Sequence, residues 1–399
     1  MASFLRPDRF FIVQSSALHG DGVFAAEPQQ VRDEEPLWEE TPNLFLQSVE
    51  NRADALICAN CHGFVGTLGT QLDVLHKKVS REDTEQLATR AMQPQGSEDE
   101  VLSKGIVFCE QECGEMYCSP ACAREHWNRS HCLLCTGSMV EDEPLVNFKM
   151  HAIKTNEIFL MVADHFAEIC TRVDAAVGEV EDENQKKQYA EAAAREATQP
   201  YATFVRNLWW DVALPHEGED PRELAESLIN LVNESWNYLN IALCLEQRGL
   251  AEYLSVEYMS RTIGMFEQNN VGVRLQSPLA DKVGMLEPGE EQVKTWSTAV
   301  EQIAATLPPP MECMECEDEE EEEESGDPAY DAMFRVLEEY GDTTIFPPVD
   351  GAAFYLKICK INHSCEPNVR VEYKHGNTSA VEGERRARNL IAYVKVGPF

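Results

Sequence analysis

The sequence predicts an α+β chain in which one β fold is divided by two insertions, a cysteine-rich module and a helical one. Three observations predict it. Runs rich in aromatic and β-branched residues stand near both ends: Phe10-Phe11-Ile12-Val13-Gln14, Phe354-Tyr355-Leu356-Lys357-Ile358-Cys359 and Asn389-Leu390-Ile391-Ala392-Tyr393-Val394-Lys395-Val396-Gly397. Between residues 58 and 135, seven cysteines and a histidine fall in four close pairs. From 140 to 256, apolar residues recur every three or four positions, which is the period of a helix.

The 399 residues suggest two to three domains. With 43% hydrophobic residues there is ample material for a core. Seventy acidic side chains against 33 basic ones give a formal charge of −37. Such a surface repels phosphate backbones, which argues against nucleic acid as a direct partner and favours basic peptides or proteins. No apolar run reaches 18 residues, so no membrane span is expected. The first residues lack the apolar centre of a secretory signal. The fourteen cysteines are therefore assigned to a reducing compartment, where clustering points to metal rather than disulfides.

Taken in order, the first strand leads to Gly20-Asp21-Gly22-Val23-Phe24-Ala25. Two glycines one residue apart suit a tight hairpin or a close approach of a ligand to the backbone. A strand follows them, not a helix, so this is no dinucleotide loop. The paired residues come next: Cys58 and Cys61, Cys109 and Cys113, Cys118 and Cys122, His131 and Cys135, with Cys132 left over. Zinc takes four nitrogen or sulfur ligands in a tetrahedron, and a close pair lets one turn supply two of them. Eight ligands suffice for two ions. Within residues 62–108, a helix is expected over 82–92, followed by a polar loop over 93–100. A finger of this size is expected to have too little core to fold without metal.

Val146, Met150, Ile153, Ile158, Met161, Val162, Phe166 and Ile169 mark an amphipathic helix bent near Thr155-Asn156. Residues 176–197 are Ala- and Glu-rich and are expected to be largely exposed. Asp220-Pro221-Arg222-Glu223 starts a further helix, with Asp as cap, Pro in the first turn and Gly249 as the stop. Of the adjacent Trp209 and Trp210, one is expected to be partly exposed. Residues 261–270 read as a helix that ends at Asn269-Asn270, leaving through a left-handed residue into a strand. Cys313 and Cys316 have no second pair with which to close a metal site. They sit in an acidic loop, 311–326, whose acidic run over 317–324 should repel itself. Finally Ile361-Asn362-His363-Ser364-Cys365-Glu366-Pro367-Asn368 follows an apolar run with a polar turn.

That octapeptide resembles the N-H-S-C-x-P-N signature of SET-domain lysine methyltransferases. Gly20-Asp21-Gly22 is similar to the G-x-G that opens SET domains. Tyr117-Cys118-Ser119-Pro120-Ala121-Cys122, with Trp127, His131 and Cys135, resembles the second half of a MYND finger. On these motifs the chain resembles the SET- and MYND-domain (SMYD family) protein-lysine methyltransferases over nearly its whole length. Trp209-Trp210-Asp211 and the acidic insert are most like the divergent branch with a Glu-rich segment and its plant relatives.

The resemblance implies a SET fold in two parts, 1–57 and 257–399. A MYND-type finger at 58–135 with an insertion over 62–108, and a helical insertion at 140–256, would lie between them. It implies interleaved zinc ligands, Cys58, Cys61, Cys118 and Cys122 on one ion, Cys109, Cys113, His131 and Cys135 on the other. S-adenosyl-L-methionine would contact Gly20, Asp21, Gly22, Asn270, Asn362 and His363, with His19 nearby and Asn269 the neighbour of Asn270. Tyr355 and His363 would be catalytic, Tyr355 lining the entry of the target lysine. The implied substrate is a histone tail or another Lys-rich protein, with a proline-rich peptide as a second ligand of the finger. The implied setting is nucleus and cytoplasm, as a monomer. Two departures stand out. Cys109-x3-Cys113 is one residue longer than usual, and the family's Glu-Glu turn, following tyrosine and terminal C-x-C are not found before Pro398-Phe399. The chain is thus expected to be shortened relative to the family, and the alternative is a catalytically dead, zinc-dependent interaction adaptor.

Overall fold

The computed structural model describes residues 11–17, 20–25, 36–92, 101–103, 105–138, 140, 143–178, 180–310, 325–367, 369–376 and 389–396. His19, the polar loop 93–100, Cys313, Cys316, the acidic run 317–324, Asn368 and Pro398-Phe399 lie outside them. The fold is α+β, with several small antiparallel sheets.

The strands are β1 (Phe11–Ser15), β2 (Asp21–Ala25), β3 (Pro36–Glu40), β4 (Leu44–Gln47), β5 (Val107–Phe108), β6 (Met116–Tyr117), β7 (Val271–Leu275), β8 (Val349–Phe354), β9 (Val369–Gly376) and β10 (Asn389–Val396). β1 and β2 form a hairpin with Gln14 opposite Gly22. Two three-stranded sheets join the distant parts of the sequence, in the orders β3-β10-β9 and β4-β8-β7. The register of β10 on β3 shifts between Val394 and Lys395, where Pro36 stands opposite. Proline has no N–H to give to the ladder, which is where such irregularities are tolerated.

The long helical stripe breaks at Asn156 into helices Pro144–Thr155 and Ile158–Val177, as its pattern implies. The second of these is the centre of a core. It buries Phe159, Val162, Phe166 and Ile169 with Val232, Leu239, Ile263, Phe266 and Phe354. Helix Glu183–Thr198 packs on it through Ala194 and Ala197 and leaves most of its surface to solvent. Helix Pro221–Ala242 is capped by Asp220, which accepts from Arg222 N. It ends at Leu243, before Gly249, because Cys244 itself takes a left-handed turn at φ 49°. Trp209 is buried and Trp210 is half-buried. A second core unites Val273, Val349, Ala353, Leu390 and Val394 with the helices Pro278–Gly284, Val293–Ala304 and Pro328–Tyr340.

Two local expectations are corrected. Residues 354–359 are not a strand: β8 ends at Phe354 and a 3-10 turn, Ile358–Lys360, follows. The cause is Glu40, whose carboxylate oxygens accept from Lys357 N and Ile358 N, each at 3.0 Å, while Tyr355 N donates to Cys359 Sγ. These bonds satisfy backbone donors that a strand would have offered to a neighbour. The helix Val256–Asn269 ends where expected, but Asn270 exits in an extended conformation (φ −65°, ψ 160°), not a left-handed one.

The insertion 62–108 holds more than the expected helix, which spans Thr84–Met92. A second helix, Leu68–Leu75, begins with a capping box between Thr67 and Thr70. Both helices lend side chains to a third core, where Val74, Val79, Leu87, Ala91 and Ile106 pack with Leu56, Met116 and Tyr117. The finger and its insertion therefore share an apolar core. No helix among the described residues is long and apolar enough to cross a membrane.

Candidate functional site

Two constellations carry chemistry. The first lies in the finger. Cys58, Cys61, Cys118 and Cys122 form one set and Cys109, Cys113, His131 and Cys135 another, with the ligand atoms of each set within 4.8 Å of one another. In the first set Sγ–Sγ distances are 3.7 Å (Cys61 to Cys118) and 3.4 Å (Cys118 to Cys122). In the second, Cys109 and Cys135 are 3.7 Å apart and Cys113 Sγ lies 3.4 Å from His131 Nε2. With Zn–S of about 2.3 Å and Zn–N of about 2.0–2.1 Å, a tetrahedron has edges of roughly 3.8 Å between sulfurs and 3.6 Å between sulfur and nitrogen. The donor sets fit zinc. Cys132 belongs to neither.

Local structure explains the grouping. Ser119 caps helix Pro120–His126 by accepting from Cys122 N, which turns Cys122 back toward Cys118. A five-residue π-helical stretch, Trp127–His131, then carries His131 against the β5–β6 hairpin, its ring stacked on His126 at 4.9 Å. Burial pushes the Cys58 thiol up, and the hydrogen bond with Cys118 pushes Cys61 up. Hydrogen bonds from Cys118 and Cys58 pull Cys122 down. Burial lowers His131 to about 4, so its ring is a neutral donor to a metal at neutral pH. Without a cation, four crowded sulfurs cannot all ionise; a dication would displace their protons.

The second constellation is a cavity of about 190 Å³. Four segments wall it: Gly20 and Asp21 at the turn of the hairpin, Thr203, Phe204 and Val205, then Gln268 and Asn269 at the end of helix Val256–Asn269, and residues 359–363. Asn362 Nδ2 donates to Ser16 Oγ at 3.1 Å, which fixes the amide. His363 is exposed, with Nε2 3.5 Å from Cys365 Sγ. Burial pushes the Cys359 thiol up to about 12, so it stays protonated. The two glycines are demanded by packing. Gly20 has φ +50°, and a Cβ there would stand 3.2 Å from Thr203 O. A Cβ on Gly22 would lie 2.6 Å from Asn362 Nδ2. The polar, charged lining suits a small polar ligand.

Of the residues singled out in the sequence, Gly20, Asp21, Asn362 and His363 therefore meet at one cavity, and Gly22 backs it through Asn362. Asn270 is not among the lining residues, but Asn269 is, its Nδ2 donating to Val205 O at 3.3 Å and to Met265 O at 2.7 Å. Tyr355 does not line the cavity. Its ring is fully buried in the sheet core, and its hydroxyl has no hydrogen-bond partner among the described residues. Burial pushes that phenol up, so it stays neutral. Lys360, Thr203, Phe204 and Val205 were not anticipated. Lys360, two residues before Asn362, could have been suspected; nothing local marks 203–205.

The chain matches no family model and no solved structure. It is 27% identical over 437 residues to a protein of Arabidopsis thaliana named histone-lysine N-methyltransferase ATXR2, a match that covers 96% of this chain and 84% of that one. The α+β chain with its two metal-type donor sets is thus a distant homologue of a protein methyltransferase.

Proposed function

We propose that this chain is an S-adenosyl-L-methionine-dependent protein-lysine N-methyltransferase of the SET and MYND kind, acting on a histone or another basic protein. The observation that carries the reading is the meeting of Gly20, Asp21, Asn362 and His363, from opposite ends of the sequence, at one polar cavity. The distant relative's name and the net charge of −37, which favours a basic partner, support it. On this reading 1–57 and 257–399 are the two parts of the SET fold, 58–135 is the finger, and 140–256 is the helical insertion. The divergent, Glu-rich SMYD branch is the subgroup we favour.

The bound cofactor supplies a methyl group on a sulfonium sulfur, which an amine can take directly. The hairpin at 20–22 and the 359–363 segment bind and orient it, Asn362 being held by Ser16. A lysine has an ordinary pKa near 10.4 and must lose its proton before it can attack. Desolvation favours the neutral amine. Tyr355, which the resemblance gives to the lysine entry, is shut in the sheet core; what it contributes to the cavity is its N–H, which donates to Sγ of the lining residue Cys359. Two zinc ions would tie residues 58–61 to 118–122 and 109–113 to 131–135, a structural role with four protein ligands for each.

Calorimetry with S-adenosyl-L-methionine on the zinc-loaded chain, with Asn362→Ala beside it, tests the reading. Micromolar binding that the variant loses, followed by methyl transfer to histones, is the expected result. A folded, zinc-loaded chain that binds no cofactor would overturn it and leave the interaction adaptor.

A further inference from the structure

We propose that a second cavity, at the seam between the finger, β4 and the helices Pro144–Thr155 and Ile158–Val177, binds a small organic acid: one carboxylate carried on an apolar body. The inference goes beyond the methyltransferase reading and does not depend on it.

This cavity measures about 580 Å³, within the span of roughly 300–1,000 Å³ that holds drug-sized ligands. It shares no lining residue with the cavity of Gly20 and Asn362. Its apolar walls come from Phe45 and Leu46 of β4 and from Phe148, Ile153 and Leu160 of the two helices. Four cations stand among them. Arg52 lies in the 3-10 turn Asn51–Ala53 that follows β4, and Arg81 between the two helices of the insertion. Arg129 comes from the π-helical stretch and Lys149 from helix Pro144–Thr155. In a chain with 70 acidic side chains against 33 basic ones, a cavity so lined is not what composition alone would produce.

Of the four, only Arg52 makes an ion pair with a carboxylate among the described residues, Glu115 at 2.7 Å. Arg81 Nη1 donates to Arg52 O at 2.9 Å and Lys149 Nζ to Leu134 O at 2.7 Å, both neutral acceptors. Arg129 Nε is buried and has no partner among the described residues. A charge drawn away from water without a counter-charge is costly, so these groups gain from an anion. The charge of that anion follows from the other groups on the walls. Glu82 is exposed, which leaves Glu115 and Asp164 as the inner carboxylates. The set of Cys113 and His131 also borders the cavity, and its three thiolates with one zinc dication come to one negative charge. Burial keeps the His62 and His126 rings neutral. One positive charge is left over. It matches a carboxylate, whereas a phosphate monoester brings about two negative charges. The planar fork of an arginine grips a carboxylate by two parallel bonds, and the apolar walls select the body that carries it.

The probe is phenylbutyrate, titrated by calorimetry into the full, zinc-loaded chain, with phenylbutylamine as the same body under the opposite charge. The acid should bind, and the amine should bind at least about tenfold more weakly. Lys149→Gln and Arg81→Gln keep a donor and lose the charge; each should weaken the acid about tenfold, the low end for a hydrogen bond to a charged group. Asn362→Ala, in the other cavity, should leave that affinity within about twofold of its original value. Melting curves and zinc content establish that each variant is folded; if Lys149→Gln folds poorly, Arg81→Gln carries the same comparison. Absence of binding, equal binding of acid and amine, affinity that neither charge-removing variant lowers, or binding lost in Asn362→Ala would each overturn the inference. Cofactor binding is read separately, so failure here leaves the methyltransferase reading standing.

Discussion

Replacing Gly22 with alanine tests whether the hairpin and the Asn362 segment form one surface. A Cβ at that position would stand 2.6 Å from Asn362 Nδ2 and 2.9 Å from Phe24 Cε2. Real Cβ atoms do not approach so closely, so a neighbour must yield. Both neighbours are side chains, and Asn362 is the closer. Turning it away breaks the 3.1 Å bond to Ser16 Oγ. A net loss of about 1 kcal/mol follows for one neutral hydrogen bond. Global stability should therefore fall slightly, by no more than about 2 °C in Tm for a chain of this size. Cofactor affinity should fall far more, at least about tenfold, because the amide that we assign to the cofactor is the group displaced. Gly272 is the control: it lies in β7 and a Cβ there meets nothing within 4 Å. Melting curves and calorimetric titration of both variants, side by side, make the comparison. If Gly22→Ala binds cofactor as the unaltered chain does, or if it unfolds outright, the coupling of Gly22 to Asn362 is refuted.

Three further perturbations reach other parts of the molecule. The finger should release two zinc ions per chain to a strong chelator, and Cys118→Ser should hold one at most; a variant that keeps both by metal analysis would refute the interleaved assignment. Burial pushes the Glu115 carboxyl up, but Arg52 at 2.7 Å, with Arg81 and Lys149, outweighs it and holds the group well below the usual carboxylate range. A carboxyl depressed in the folded state adds stability that is present above its unfolded pKa, near 4.3, and is lost as pH falls toward the folded value. Glu115→Gln should therefore flatten the acid limb of urea-monitored stability and cost about 1–3 kcal/mol at pH 7, discounted because Arg52 is a third exposed. At Gly264 a Cβ would stand 2.1 Å from Asn207 O, a backbone atom that cannot swing aside. Gly264→Ala should cost about 3 kcal/mol in urea unfolding, and a neutral result would mean that the 207–209 segment does not cross the helix there.

How much of this was legible depended on whether the cause was local. The eight finger residues fall in four pairs because ligands three or four residues apart share a turn, and spacing records that; which pairs join on one site came from the family resemblance. The break at Asn156 and the start at Asp220 were equally readable, since caps and stripes act within a few residues. Residues 354–359 misled because Glu40, 318 positions before Ile358, claims the backbone donors that a strand would use. The insertion 62–108 read as a helix and a polar loop; its contribution to a core emerges only when Val74, Leu87 and Ile106 meet Leu56 and Met116. Asn269 and Asn270 differ by about 100° around a helix, and only the end of that helix decides which one faces the cavity.

The cavity shows why the motif residues do not define it by themselves. Its walls are held from elsewhere: the turn leading into 359–363 by Glu40 through Lys357 N and Ile358 N, Asn362 by Ser16, and the 203–209 segment by Ser260, whose Oγ accepts from Trp209 N at 3.0 Å. Those anchors lie apart, Glu40 in β3, Ser16 just after β1 and Ser260 in helix Val256–Asn269, so a ligand seated among the walls touches the hairpin, the helical core and the sheet core at once. Binding should then stabilise all three together. At a free concentration one hundred times Kd, the expected gain is about 2.7 kcal/mol, expressed as one cooperative shift. Amide exchange should slow in β1–β2, in helix Val256–Asn269 and across β8 in concert. Protection confined to the hairpin would mean that the cavity is a surface cleft on β1–β2, and that residues 203–205 and 268–269 merely lie beside it.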